Sequence, residues 1–378
     1  MRVACVLESF PPIVGGTEAR SKSLLTRLPP SWEVDVYTPR FGDSPQEETD
    51  RGIRIIRLGE LNPTNYFKAN GRPIFDSLRF AANARKALSK NENRYEVIFY
   101  SEWNLVHFLL SHRVAGVPTV ADWCEVLARK LRGVQGRLET YLESYLARNA
   151  SIATTISRAI TLELAAVHGV PMGKIHTVEN GVEEEELSYT PPDKKEQKVL
   201  YAGRLVAHKR CELLIDAMKI VNSARKIELV IVGDGNSEYV RRLKERAPSW
   251  VRFTGWLPQA ELNEEFAKAR IFALTSEREG SSLSGLSAMA KGTPVITVNS
   301  PLNMARQDPV EHGRNGLVVD ATPESLALAI LELANNEATY SSLSRGAYET
   351  VERRTWGASA KKLEAALVEA SNSEARRA

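Results

Sequence analysis

Cysteine is scarce in this chain, with three in 378 residues, Cys5, Cys124 and Cys211. They are odd in number and far apart, which argues against a disulfide framework, and no zinc-type spacing of cysteine or histidine accompanies them. A long hydrophobic run is also lacking. Nowhere do about 18 apolar residues follow one another, so no segment reads as a membrane span. The apolar part of the opening "MRVACVLESFPP" is too short for a signal peptide. Nor is there a surplus of one charge: 50 lysines and arginines face 47 acidic residues, a net charge of +3. No basic stretch points to nucleic acid. These absences predict a cytoplasmic protein with no disulfide, no metal cluster and no nucleic-acid partner.

What remains is a globular composition, 43% hydrophobic and 26% charged. The length suggests two domains of roughly 150–200 residues each. Short apolar runs alternate with helical patterns almost throughout. In the first half the expected strands are Val3–Glu8, Glu33–Tyr37, Ile53–Leu58, Val97–Tyr100, Thr119–Ala121 and Ile152–Thr155. In the second they are Lys198–Gly203, Ile227–Val232, Val251–Thr254, Ile271–Thr275, Val295–Val298 and Gly316–Val319. Strands apolar on both faces and separated by helices predict parallel sheets covered on both sides. The fold class is therefore α/β, two doubly wound Rossmann-like domains facing an interdomain cleft. The break is expected at "SYTPPDKKEQK" (Ser188–Lys198), giving domains over 1–188 and 189–355. A closing helix over 356–378 is expected to pack back toward the first domain. The acidic run Glu183–Glu186 reads as a solvated linker face, with a cation site as the alternative.

In such sheets ligands sit at strand carboxyl ends, and three stretches bring chemistry there. Gly15-Gly16-Thr17-Glu18 follows the first strand and opens a helix, so it is either a tight turn or an approach for an anion. It is not the six-residue dinucleotide fingerprint, which leaves nicotinamide and flavin cofactors with little support. "YAGRLVAHKR" sets Arg204 just past a strand and Lys209 at the mouth of the next helix. That pair suits a diphosphate, since arginine grips two oxygens in a fork and lysine acts as a mobile charge. A surface pair of charges is the bland alternative. "SEREGSSLSGLSAMAKGTPVI" (Ser276–Ile296) reads as a loop, then a short helix Gly285–Lys291 capped by Gly292. Glu279 is set to accept hydrogen bonds from sugar hydroxyls, and the Ser281–Leu283 amides to bind phosphate oxygen. Taken alone, the loop is equally a serine-rich turn with exposed glutamates, and Glu277 is a flanking charge.

With these motifs in order, the chain resembles the retaining glycosyltransferases of family 4, built on the GT-B fold of two facing Rossmann-like domains. The resemblance also takes in "VENGV" (Val178–Val182), "IVGDG" (Ile231–Gly235), "GWLPQAEL" (Gly255–Leu262) and "HGRNGLVV" (His312–Val319). It implies transfer of a sugar from a UDP- or GDP-linked donor to a sugar, lipid or small-molecule acceptor hydroxyl, with no metal. Carried across, Arg204 and Lys209 stabilise the leaving phosphate and Gly15 and Gly16 approach it from the other domain. Glu279 holds the donor sugar beside Gly280, Ser281, Ser282 and Leu283. Gly203 closes the strand before Arg204, and the nucleobase rests against Gly255–Leu257.

Two positions depart from the family pattern. Eight residues after Glu279, where the family has a second glutamate that binds the nucleotide's ribose, stands Ser287. Loss of that carboxylate leaves three readings: compensation by phosphate and base contacts, a ribose-free lipid-phosphate donor, or a non-catalytic binding subunit. In "PTVADWCEV" a family histidine is replaced at about Cys124, with Asp122 or Glu125 as the substitute acceptor ligand; Asp122 is otherwise a strand end. Basic residues Arg72, Arg79, Arg85, Lys86, Arg129, Lys130, Arg132 and Arg137 suit either peripheral contact with an anionic membrane or solvated helix faces.

Overall fold

A computed structural model describes residues 1–13, 15–61, 74–91, 94–101, 116–126, 133–277, 279–299 and 308–375. The chain divides into two compact units, Met1–Asn180 with Trp356–Ala378, and Gly181–Thr355. The expected break lay at Ser188; the observed one precedes Gly181.

The first unit carries β1 (Arg2–Val6), β2 (Glu33–Phe41), β3 (Glu47–Asp50), β4 (Ile53–Leu61), β5 (Val97–Ser101), β6 (Thr119–Trp123), β7 (Ile152–Thr155) and β8 (Ile175–Thr177). They form one sheet in the order β3-β4-β2-β1-β5-β6-β7-β8, and only the β3–β4 pairing is antiparallel. The closing helix Trp356–Ala375 packs on this unit, against the helix Gly16–Leu25 and the strands β5 to β8. Its Leu363, Ala366, Leu367 and Ala370 are fully buried. That spacing is one face of an amphipathic helix.

The second unit carries β9 (Glu196–Ala202), β10 (Glu228–Val232), β11 (Val251–Gly255), β12 (Ala269–Leu274), β13 (Val295–Asn299) and β14 (Gly316–Asp320). All six are parallel, in the order β11-β10-β9-β12-β13-β14. Side chains of one strand point alternately to the two faces, and here both faces are apolar. Val199, Tyr201, Leu229 and Ile231 enter one core. Leu200, Ala202, Val230 and Val232 enter another. Such strands read as continuous hydrophobic runs, which is why they were visible in the sequence.

The strand order sets the site. From β9 the chain steps through β10 to β11 on one side, then returns to place β12 on the other side of β9. The loops leaving β9 and β12 therefore splay apart at a topological switch point, the place where doubly wound sheets open a crevice at their carboxyl edge.

Candidate active site

At this switch point the loop after β9 carries Gly203, Arg204 and Lys209, and the loop after β12 carries Glu279. Lys209 Nζ lies 2.6 Å from Glu279 Oε2, across 70 residues of sequence. Both side chains are mostly buried, at 18% and 16% exposure, so the pair is poorly screened and each charge depends on the other. Ser276 Oγ donates to the same Glu279 oxygen at 3.1 Å.

The two loops are also laced through their backbones. Thr275 Oγ1 donates to Lys209 O at 2.8 Å, and Glu277 N to His208 O at 2.8 Å. Arg210 donates from Nε to Thr275 O at 3.0 Å and holds a left-handed φ of 47° where the next helix begins. Arg204 is exposed, and its guanidinium makes no ion pair among the described residues. Its carbonyl accepts from the Tyr201 hydroxyl at 3.1 Å.

Next to these loops lie the ends of β10 and β11. Gly233 N donates to Gly255 O at 2.8 Å, and Gly203 N to Val232 O at 3.0 Å. Gly233 has φ 126°, and a Cβ built there would stand 2.0 Å from Gly203 O. A side chain at Gly233 therefore has no room against the end of β9. Leu257 packs partly buried against the adjoining core, while the neighbouring Trp256 is 57% exposed.

The helix after Glu279 spans Leu283–Met289, two residues earlier at its start and end than expected. Its C-cap is Ala290, and Gly292, with φ 68°, turns the chain only after the helix has ended. Ser282 Oγ caps the start by accepting from Gly285 N at 3.0 Å. The loop before it is braced from elsewhere: Ser281 Oγ donates to Asp308 Oδ2 at 2.7 Å, and Arg354 forks onto Asp308 at 2.9 and 2.8 Å. The Ser282 amide leans on Asp308 O at a long 3.4 Å. Gly280, half-buried, lies between Glu279 and this brace.

Ser287 is half-buried, and its hydroxyl has an unforeseen partner. Ser287 Oγ donates to Glu186 Oε2 at 3.3 Å. Gln259 Nε2 donates to the other oxygen, Oε1, at 3.3 Å. The acidic run is therefore not wholly a solvated face: Glu184 and Glu185 are exposed, but Glu186 turns inward. Burial raises the Glu186 carboxyl above its ordinary range, opposed by the Ser287 hydrogen bond and the Lys291 charge.

In the first unit, Gly15 is the extended N-cap of the helix Gly16–Leu25. Glu18 sits over that N-terminus, and a Cβ at Gly15 would come within 2.2 Å of Glu18 Oε2. Asp122, an acceptor-side candidate and otherwise a strand end, is held by buried partners. Its carboxylate takes Arg20 Nε and Nη2, both at 2.9 Å, and Thr154 Oγ1 at 2.7 Å, and it is only 4% exposed. Cys124 and Glu125, just beyond β6, are half-buried. The three cysteines form no disulfide. Arg79, Arg85, Lys86 and Arg137 are exposed, whereas Arg72, Arg129, Lys130 and Arg132 lie outside the described residues. Among the described residues no helix is long and apolar enough to cross a membrane.

Glu186, Gln259 and Asp308 are the site residues that sequence reasoning passed over. A run of four glutamates does not say which one turns inward, Gln259 lies inside "GWLPQAEL" where only the backbone was singled out, and Asp308 lies in none of the motifs.

Comparison with known proteins bears on the family and the fold. The family described as "Glycosyl transferases group 1" matches residues 196–336, and the "Glycosyl transferase 4-like domain" matches residues 15–181. Mannosylfructose-phosphate synthase of Agrobacterium fabrum is 26% identical, covering 89% of this chain and 82% of its own. Among solved structures, sucrose-phosphate synthase from Thermosynechococcus elongatus superposes with a TM-score of 0.77 at 19% identity, over 97% of this chain and 98% of that one. The Anabaena protein HepE in complex with UDP and glucose gives 0.74 at 17% identity, over 98% and 100%.

Proposed function

The chain belongs to the group 1 glycosyl transferases, and on that footing we propose that it moves a sugar from a UDP- or GDP-linked donor to an acceptor hydroxyl, with retention at the anomeric carbon and without a metal ion. The observation that carries the donor site is the Lys209–Glu279 pair at the switch point of the second unit. A cation and a carboxylate fixed together suit a diphosphate joined to a sugar, because one group takes phosphate oxygen and the other takes hydroxyl protons.

In the reaction the bond from the anomeric carbon to phosphate breaks, and its electron pair goes to the phosphate oxygen. Charge growing on that oxygen is stabilised by Lys209 and by the exposed Arg204 on the same loop. The acceptor oxygen bonds the anomeric carbon on the face the phosphate leaves, and its proton passes to the departing phosphate. Glu279 holds the sugar hydroxyls through this change, and the base lies along Gly255–Leu257. Cys124 and Glu125 are the acceptor-side candidates. The likeness to Anabaena HepE, solved in complex with UDP-glucose as well as with UDP and glucose, favours a nucleotide sugar for this chain as well.

Calorimetric titration with UDP, GDP and ADP tests the donor class. Micromolar binding of UDP or GDP supports the reading, and binding of ADP alone or indifference to all three sinks it. The anomeric configuration of the product, read by NMR, then tests retention.

A further inference from the structure

Ser287 cannot clamp two hydroxyls, yet a carboxylate stands against it. Glu186 reaches it from a different part of the second unit, and its two oxygens face Ser287 on one side and Gln259 on the other, each at 3.3 Å. Those contacts are long for a charged acceptor. A carboxylate offers about four lone-pair positions, so this one retains capacity for stronger donors. A vicinal diol brings two O–H groups to match its two oxygens.

The location fits such a diol. Gln259 follows Leu257, where the base is expected, by two residues, and Ser287 is on the helix that begins just past Glu279. A carboxylate touching both therefore joins the helix that follows the base loop to the helix that follows Glu279, and a nucleotide's sugar ring must bridge those same two loops. A purely structural role is already filled by other groups. Ser188 N donates to Ala290 O at 3.1 Å and Thr190 N to Lys291 O at 3.2 Å. Lys291 Nζ donates to Glu186 O at 2.6 Å and Ser188 Oγ at 2.7 Å. Lys291 thus fastens the Glu186 backbone, and the carboxylate's own hydrogen bonds are the two long ones to Ser287 and Gln259.

We propose that Glu186 is the residue that binds the ribose hydroxyls of the donor nucleotide, supplying from another element the carboxylate that Ser287 lacks. This rests on the nucleotide-sugar reading above. It is a specificity role, and it makes a ribose-free donor unnecessary.

The experiment is calorimetry with UDP and GDP and their 2′-deoxy forms, on wild type, Glu186→Gln, and Glu186→Gln combined with Ser287→Glu. Wild type is expected to favour the ribonucleotide. Glu186→Gln is expected to lose about tenfold or more for the ribonucleotide, the worth of a hydrogen bond to a charged group, and little for the deoxy form. The double variant, with the carboxylate moved to the neighbouring helix, should recover both affinity and discrimination. A structural role would lower both nucleotides alike and leave their ratio unchanged, which overturns the proposal. So does a wild type that ignores the 2′-hydroxyl, whatever the variants do. If wild type binds none of these nucleotides, the donor assignment fails first and this one falls with it.

Discussion

Lys209 and Glu279 hold each other's charge at 2.6 Å, and that mutual dependence fixes what single substitutions do. Removing one group that stabilises developing charge costs about 10²–10³ in turnover. Lys209→Ala and Arg204→Ala should each show a loss of that size in steady-state kcat with the fold retained by circular dichroism. Near-normal turnover in both would refute their roles. Asp122 should behave differently. Asp122→Ala strands the buried Arg20 guanidinium and is expected to cost about 3–5 kcal/mol in urea unfolding. If instead the variant were stable and impaired only toward the acceptor, Asp122 would be an acceptor ligand after all. Arg204, Lys209 and Glu279 were legible in the sequence because each sits a short step past an apolar run. The fate of Asp122 was not, because its partner Arg20 lies 102 residues away.

At the scale of elements, the strand ends and the helix that follows Glu279 carry the site. The turn after β10 passes so close to the end of β9 that Gly233 has no room for a side chain. Gly233→Ala should therefore destabilise the second unit by well over the roughly 1 kcal/mol of an ordinary Gly→Ala change, since strain at φ 126° adds to a 2.0 Å clash with Gly203 O. A denaturant midpoint equal to wild type would contradict that packing. Ser282→Ala removes the cap on Leu283–Met289 and is expected to cost about 1 kcal/mol. Most core strands were read to within two residues, because burial on both faces leaves a continuous apolar signature, but β2 runs four residues and β4 three residues past their expected ends. Two short strands, Glu47–Asp50 and Ile175–Thr177, were missed. Both lie at sheet edges with half-exposed polar residues, so they leave no such signature.

For the whole molecule, one buried lysine gives stability a distinct pH dependence. Lys195 is 8% exposed, and burial with the nearby Lys291 charge pushes its ammonium down from 10.5 to about 7. Its three oxygen neighbours, Thr293 Oγ1 at 2.6 Å, Lys291 O at 2.9 Å and Phe266 O at 3.4 Å, accept a donor from either protonation state. Between those two pH values the unfolded chain holds a proton that the folded one has released, so stability rises with pH across that window and is weakest below it. Unfolding of wild type and Lys195→Met at pH 7 and about pH 9 should show wild type gaining on the variant as pH rises. An unchanged difference would mean that Lys195 keeps its proton in the fold.

The sequence by itself determined two α/β units, their apolar strands, and the residue types that gather at strand carboxyl ends. These are consequences of local order, since period and punctuation lie within a few residues of one another. Only the tertiary structure decided which of those residues meet. Parallel strands joined by crossovers place distant loops side by side, and the return of the chain past β9 to β12 sets Lys209 against Glu279. The same folding carries Glu186 to Ser287, 101 residues on. A missing carboxylate can be read in one dimension; the carboxylate that stands in its place cannot, because proximity between distant segments is a property of the packed sheet alone.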